Sequence, residues 1–561
     1  MKRLGLPTLM AILLLLAGAG SASAANQARL AFDLNPGPSG SGDNRLFAGD
    51  DSLFLSAYTA KGSEPWVLTG TSATEAPEIN PGPASSNPDH AVRMGQYFYF
   101  AAGDLAHGNE LWRTDGTTTE LVKDIVPGTE SSFPMELVRF GNRIYFNATT
   151  PLEGRELWWV DSNGNTSTSD LYPGPNDSYP SNFAVSGDHL YFAASTAAAG
   201  NEVWRTDGTT TAMVSDIYPG NSSASPYGFV SLGGYVYFNA YSPSGDEIWK
   251  SNGVTSTIVG DINPGAGSSN PYNFTVLGNY VYFSAYDPAH GYEIWKSDGG
   301  PPTLVHDVAP GLNSSSPSNF KAAGNYLYFQ ADDHIHGQEL WRTNGASTNL
   351  VQDIEPGAPS SSPFELAEFD GNLYFTADRA DLGRELWTAN PGGAALVKDI
   401  LPGNSGSDPL SLKTMGGYLY MNADDGTHGN EVWKYGPDDI VSIRILDKSA
   451  PVSRKGKIKV RLACPGDEAS GPCSVNFSLT TAGKYRLLPK KPKRKVVVVK
   501  KPVAVIAGKT TTASFLAGKA AVNLLRKNKA ARTVVATAIV RDQAGNSKTV
   551  SQKFTLGRPP G

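Results

Sequence analysis

Cysteine is almost missing from this chain. Cys464 and Cys473 are its whole complement, with eight residues between them. That scarcity excludes a small disulfide-stapled scaffold, and the lack of nearby partner ligands argues against zinc, so in an exported protein the pair reads as a disulfide. Long apolar runs are also missing after the first turns of the chain, which excludes a membrane-spanning helix of roughly 20 residues in the body of the protein. No phosphate-cradling G-x-x-x-x-G-K, nucleophile-elbow or H-E-x-x-H motif occurs, although a site assembled from separated segments would leave no local signature. Positive charge is sparse through residue 440, with 21 Lys/Arg against 49 Asp/Glu, and then the balance reverses to 26 against 4 over residues 441–561. A reversal of that size marks two different domains.

The N-terminus carries its own pattern. Lys2 and Arg3 precede an apolar run from Leu4 to about Leu16, and Ala22-Ser23-Ala24 supplies small residues at a cleavage point. Residues 1–24 therefore read as a secretory signal peptide. The alternative, an uncleaved anchor, needs a longer apolar run than this one. No cysteine near residue 24 offers a lipid attachment site. The expected location is bacterial, secreted or at the cell surface, with no transmembrane anchor.

What is abundant is repetition. Nine times a Glu is followed two residues later by Trp, from Glu64/Trp66 through Glu110/Trp112, Glu202/Trp204, Glu293/Trp295 and Glu339/Trp341 to Glu431/Trp433, at steps of 46 residues with a single step of 45. Such a period identifies a supersecondary unit that hides its apolar face only against its neighbours. Within one unit, four short β-branched and aromatic segments alternate with turn residues such as Gly278-Asn279 and Ser297-Asp298-Gly299, with no helical period. Four antiparallel strands are the content of one propeller blade. Arg29–Gly37 matches a fourth strand without its first three, and residues 411–435 supply three strands without a fourth. Together they make one blade, so the N-terminal strand is expected to close the ring and remove its exposed edges. The expectation is an all-β protein: a single large β-propeller of about nine four-stranded blades over residues 25–437, followed by a basic immunoglobulin-like β-sandwich over 438–561.

Two resemblances bear on this. Glu110-Leu111-Trp112-Arg113-Thr114-Asp115-Gly116-Thr117, nearly repeated from Glu202 and from Glu339, resembles the bacterial E-L-W-x-x-D-G-T repeat proteins over about residues 30–435. Departures lie at Glu64-Pro65-Trp66, which sets a proline in a strand, and at Trp158-Trp159-Val160-Asp161-Ser162. The resemblance implies a secreted or surface propeller-like protein and names no catalytic residue. Lys457–Pro465 and Arg541–Ser547, with the D-x-A-G-N turn, resemble bacterial immunoglobulin-like modules. The basic stretch Lys490–Lys501 reads as an extended loop.

Four features compete for function. The Glu/Trp pairs suggest glycan-cleaving carboxylates, but a pair present in every unit reads better as framework, with Trp packing between blades and Glu accepting bonds from backbone or from recurring Tyr hydroxyls. The loops with Asp three residues before His are densest at Asp332, Asp333, His334 and His336, a set suited to a transition metal or, through carboxylates, to calcium. The opposing reading is a turn in which Asp caps backbone amides. No other cofactor is expected. Polar inter-blade loops should share a face with these Asp/His loops and form an acidic rim. The basic C-terminal region suits an anionic envelope polymer or contact with its own acidic propeller, and export with few aromatics argues against nucleic acid. Because the loops look near-equivalent, the leading expectation is a monomeric, non-catalytic binding or scaffold protein facing a glycan or protein ligand. The alternative is an extracellular hydrolase or lyase acting on polysaccharide, favoured if blade-specific acidic or aromatic residues gather at the channel mouth.

Overall fold

In the computed structural model the described residues are 26–42, 45–70, 72–437, 444–463, 473–485, 494–505, 510–541 and 547–560. They fall into two compact units, one spanning Gln27–Gly436 and the other beginning at Pro437. The signal-peptide segment, Cys464 and hence its pairing with Cys473, and the Asp542–Asn546 turn lie outside the described residues.

The first unit holds nine four-stranded sheets in sequence order, a β-propeller-like array. Blades 1 to 8 occupy residues 47–75, 89–123, 135–169, 181–215, 227–260, 272–306, 318–352 and 364–398. Blade 6 is representative: Tyr272–Leu277 pairs antiparallel with Tyr280–Asp287, which pairs with Gly291–Ser297, which pairs with Thr303–His306. Blade 9 is composite. Its strands Leu410–Met415, Tyr418–Asp424 and Asn430–Pro437 are completed by Asn26–Phe32 from the other end of the unit. The first strands of successive blades touch one another around a full circuit, including that of blade 9 against that of blade 1. The seam is packed like the other blade junctions, since Leu46, Leu53 and Leu55 of blade 1 share a core with Met415, Tyr420 and Val432 of blade 9.

The cores lie between blades. Trp158 of blade 3, for instance, packs with Tyr99 and Leu111 of blade 2. Strand alternation makes this possible, because residues two apart share a face and blades stack face to face. Pro65 interrupts nothing in blade 1: Gly62–Leu68 pairs along its length, and the Pro65 carbonyl accepts the Ala76 N–H at 2.9 Å. The Trp158-Trp159 departure likewise sits in an unbroken strand, Gly154–Asp161.

The second unit places Arg444–Ile445, Lys457–Ala463 and Thr510–Leu516 in one sheet. Its other sheet has the order Ser449–Ala450, Ser547–Leu556, Thr533–Arg541, Cys473–Tyr485, Arg494–Val505. One apolar core joins them, with Ile458, Val460 and Leu462 facing in while Lys457, Lys459 and Arg461 face out. Two expectations change here. Lys490–Lys501 is not a loop where it is described: Arg494–Val505 is a strand that buries Val496 and Val498 and exposes Lys495 and Val497 between them. A helix, Lys519–Lys527, also interrupts the strands, burying Ala521, Val522 and Leu525. Among the described residues no helix is long and apolar enough to cross a membrane.

Candidate functional site

The framework role of the repeated Glu is explicit in the geometry. Glu293 is fully buried and accepts the N–H groups of Val308 at 2.9 Å and Ser315 at 2.9 Å, with the Ser315 hydroxyl donating at 2.6 Å. Glu110 and Glu339 repeat the arrangement with Ser132 and Ser361. The donors are thus backbone N–H groups and a serine hydroxyl of the following inter-blade loop, the backbone arm of the expectation and not its tyrosine arm. Each carboxylate ties the end of its own blade to the loop feeding the next, and burial pushes its pKa up while those donors pull it down. Blade 4 departs. Ala224 stands where the other blades have serine, so Glu202 receives only the N–H groups of Ile217, Tyr218 and Ala224, and burial pushes its pKa to about 7.

The paired tryptophans lie in the joints between blades. Trp112 packs with Phe54 and Val67 of blade 1, Trp204 with Tyr145 and Leu157 of blade 3, Trp295 with Tyr237 and Ile248 of blade 5, and Trp341 with Tyr282 and Ile294 of blade 6. The row is less uniform in depth than its spacing implies. Trp112 and Trp341 are buried, whereas Trp204 and Trp295 are only half-buried. The fourth strand explains the contrast between Trp204 and Trp341. Trp204 sits opposite Met213, itself 36% exposed, while Trp341 sits opposite Leu350, which packs into the same core. The indole nitrogen of all four is buried without a hydrogen-bond partner, so apolar packing alone holds these rings.

The Asp/His loops are also internally occupied. Asp333 accepts the N–H groups of Ile335 and His336 and bonds the His336 ring at 2.7 Å, while Asp332 accepts the N–H of His334. The Asp104/His107, Asp287/His290 and Asp425/His428 loops match. The side-chain bond from its Asp raises the pKa of each of these four His residues. This is the amide-capping turn, and among the described residues no group of three or more His, Cys, Asp or Glu side chains is placed to hold a metal.

The inter-blade loops do share a face with the Asp/His loops. Ser132, just before blade 3, donates its N–H to Asn109 O of blade 2, and its own carbonyl accepts from Thr149 at the far end of blade 3's second strand. Approach is so close that Gly200, at φ +60°, would carry a Cβ 2.1 Å from Ser222 O, so only glycine fits.

On this face lies a column that sequence reasoning missed. The second residue of the innermost strand adopts a left-handed φ at His90, Glu136, Asn182, Asn273, Asn319, Glu365 and Ser411, between 52° and 58°, and blade 5 has Gly228 at φ +72°. Non-glycine residues hold such values only where the surroundings enforce them, and such strain gathers at functional sites. The column touches itself around the ring: Glu136 accepts the Asn182 N–H at 2.7 Å, and Glu365 accepts the Leu412 N–H at 3.2 Å.

The column is chemically asymmetric. Blades 4 to 7 offer Asn182, Gly228, Asn273 and Asn319, all neutral. The remaining described positions, on one arc of the ring, hold the ionisable Glu365, His90 and Glu136, with neutral Ser411 in blade 9. Glu365, Lys413 and Arg45 line a cavity of ≈ 400 Å³ at the seam. A second cavity of ≈ 660 Å³ beside it, sharing Leu410, is lined by Arg384, Asp408 and Asp424. Arg45 continues the arc to Asp89 at 3.6 Å, and His90 stands 3.9 Å from the same carboxylate. Glu136 follows. Although its side chain is open to solvent by area, crowding around the carboxyl desolvates it and raises its pKa, against the Asn182 N–H and the charges of His90 and Arg155. Glu136, its pKa raised and the His90 imidazole within its electrostatic reach, is the carboxyl of this arc suited to exchanging protons with a bound substrate. Aligning the units at their 46-residue spacing and reading the columns that vary would have found this set.

No family model matches the chain. None of the curated proteins matches it either. Among solved structures it is similar to one from work on two prolyl endopeptidases, at 14% identity and TM-score 0.34 over 59% of this chain and 54% of that one. It is also similar to puromycin hydrolase, at 14% identity and TM-score 0.32 over 59% and 58% of the two chains. The chain thus spans little more than half the length of either. Both of those proteins are named as enzymes. The expectation of a non-catalytic binding or scaffold protein is corrected on this chain's own residues: it rested on near-equivalent loops, and the mouth-side positions differ from blade to blade.

Proposed function

We propose that this protein is an extracellular hydrolase acting on polysaccharide, with its reaction centre on the charged arc of the propeller mouth. The observation that carries the reading is that the ionisable residues at the left-handed position of the innermost strand, His90, Glu136 and Glu365, fall in one arc, with Asp89 3.9 Å from His90. In this reading Glu136 donates its proton to the leaving glycosidic oxygen. Asp89, oriented by Arg45 and His90, removes a proton from the attacking water, so the broken C–O bond is replaced by the new C–O bond to water. In the same reading residues 1–24 direct export, the chain is one of the E-L-W-x-x-D-G-T propellers that its repeats resemble, and the basic second unit, read as immunoglobulin-like, engages an anionic envelope polymer. The test is reducing-end release from a polysaccharide panel, run beside a peptide and amide panel. Glu136→Gln is expected to cut polysaccharide hydrolysis by about 100-fold or more. Wild-type protein that cleaves no polysaccharide, or a Glu136→Gln variant with full rate, would overturn the reading.

A further inference from the structure

Blades 5 and 6 carry no charge in the innermost column and something else instead. At two neighbouring mouth positions they alone both present tyrosine: Tyr227 and Tyr272 begin the innermost strands, and Tyr241 and Tyr286 stand at the facing end of the second strands. Tyr218 and Tyr292 join them, with ring centroids 5.4 Å apart for Tyr218 and Tyr241, 5.9 Å for Tyr272 and Tyr292 and 5.4 Å for Tyr286 and Tyr292. Tyr227 and Tyr241 are 36% and 40% exposed, so these rings offer faces to solvent rather than filling a core.

Beneath the rings the polar groups are unbalanced. Asn239 is fully buried, and its Nδ2 donates to Tyr227 Oη at 2.7 Å and to Pro271 O at 3.2 Å, yet its Oδ1 has no hydrogen-bond partner. In blade 3 the matching Asn147 Oδ1 receives Arg155 Nη1, and in blade 8 Thr376 Oγ1 receives Arg384 Nη1 at 3.2 Å. Blade 5 puts Asp246 where those arginines stand, exchanging a donor for an acceptor. No described residue donates to the Asp246 carboxylate, and burial pushes its pKa up. An unmet buried acceptor is costly unless something supplies a donor.

We infer that blades 5 and 6 form a carbohydrate subsite, in which tyrosine faces stack on sugar rings and the Asp246 carboxylate accepts a sugar hydroxyl. A polyol is the ligand that brings both many donors and flat C–H faces, and the carboxylate favours a neutral sugar over an acidic one. The inference rests on the polysaccharide reading of this face but not on cleavage.

Affinity electrophoresis of the full chain tests it, in native gels cast with mixed-linkage β-glucan, xylan, galactomannan or amylopectin, with and without EDTA. Retardation is expected in at least one gel, unchanged by EDTA. Asp246→Asn and Tyr227→Ala should each weaken it about tenfold, the worth of one charged hydrogen bond or one stacked ring. Tyr227→Phe and Tyr241→Ala serve if Tyr227→Ala does not fold. Wild-type protein that is retarded by a polysaccharide it does not cleave would sink the hydrolase and spare the subsite. Retardation in no gel, retardation abolished by EDTA, or folded variants that migrate like wild type would each overturn the inference.

Discussion

Two adjacent positions in the third strand of every blade have opposite histories. One holds Glu in all nine blades, while the residue just before it runs Ser63, Asn109, Arg155, Asn201, Asp246, Tyr292, Gln338, Arg384, Asn430. Neighbours in a strand face opposite ways. The Glu side points into the joint between blade and loop, where geometry admits one solution, and the other side points toward the mouth, where geometry admits anything. Framework and chemistry are therefore interleaved residue by residue rather than assigned to separate segments.

Substitution of both members of one pair breaks or sharpens this contrast most directly. Glu339→Ala strands the donors of Ile354, Ser361 and the Ser361 hydroxyl in a buried joint, and should destabilise by roughly 3 kcal/mol or more in denaturant unfolding. A smaller, opposite effect is expected at blade 4. Because burial lifts Glu202 to about 7 from an unfolded value near 4.5, the native state holds that proton more tightly than the unfolded chain does. Stability from this group is thus complete below 4.5 and is lost as pH rises toward and through 7. Ala224→Ser restores the missing donor and should add about 1 kcal/mol at about pH 8, little at about pH 4, flattening the slope between. Thermal melts across that range would show an unchanged slope if the serine hydroxyl is not what separates blade 4. Gln338→Ala, one residue before Glu339, should move stability by no more than about 0.5 kcal/mol. His336→Asn should cost a few tenths of a kcal/mol, vanishing at high pH because its raised pKa contributes only while the ring is protonated; a loss that persists at about pH 9 would assign the ring a packing role instead.

The same contrast explains what the sequence disclosed. Glu293, Trp295 and their repeats were legible because a constraint met in every blade leaves a period. How deeply each indole sinks was not, since the openness of Trp204 depends on Met213 across the strand and the closure over Trp341 on Leu350. The composite ninth blade was legible because its two fragments, Arg29–Gly37 and 411–435, each lacked what the other held. The mouth was illegible for the converse reason. Phe133, Glu136 and Glu365 take left-handed backbone values usually left to Gly or Asn, so nothing in their side chains announces the conformation. Asp246 reads as one more acid in an acidic loop, and only the missing donor at Asn239 sets it apart. In the second unit, lysines crowding Arg494–Val505 concealed the alternation of Val496 and Val498.

The seam has a consequence in time. Leu34 and Asn35 donate to Glu431, a residue 397 and 396 positions further on. The strand Asn26–Phe32 emerges before any blade exists, yet its hydrogen-bonding partner, Asn430–Pro437, is made only after eight blades have been. Until then blades 1 and 8 each face an empty place. The ring is an open arc for most of its synthesis, and the joints on either side of blade 9 close only with the last strand.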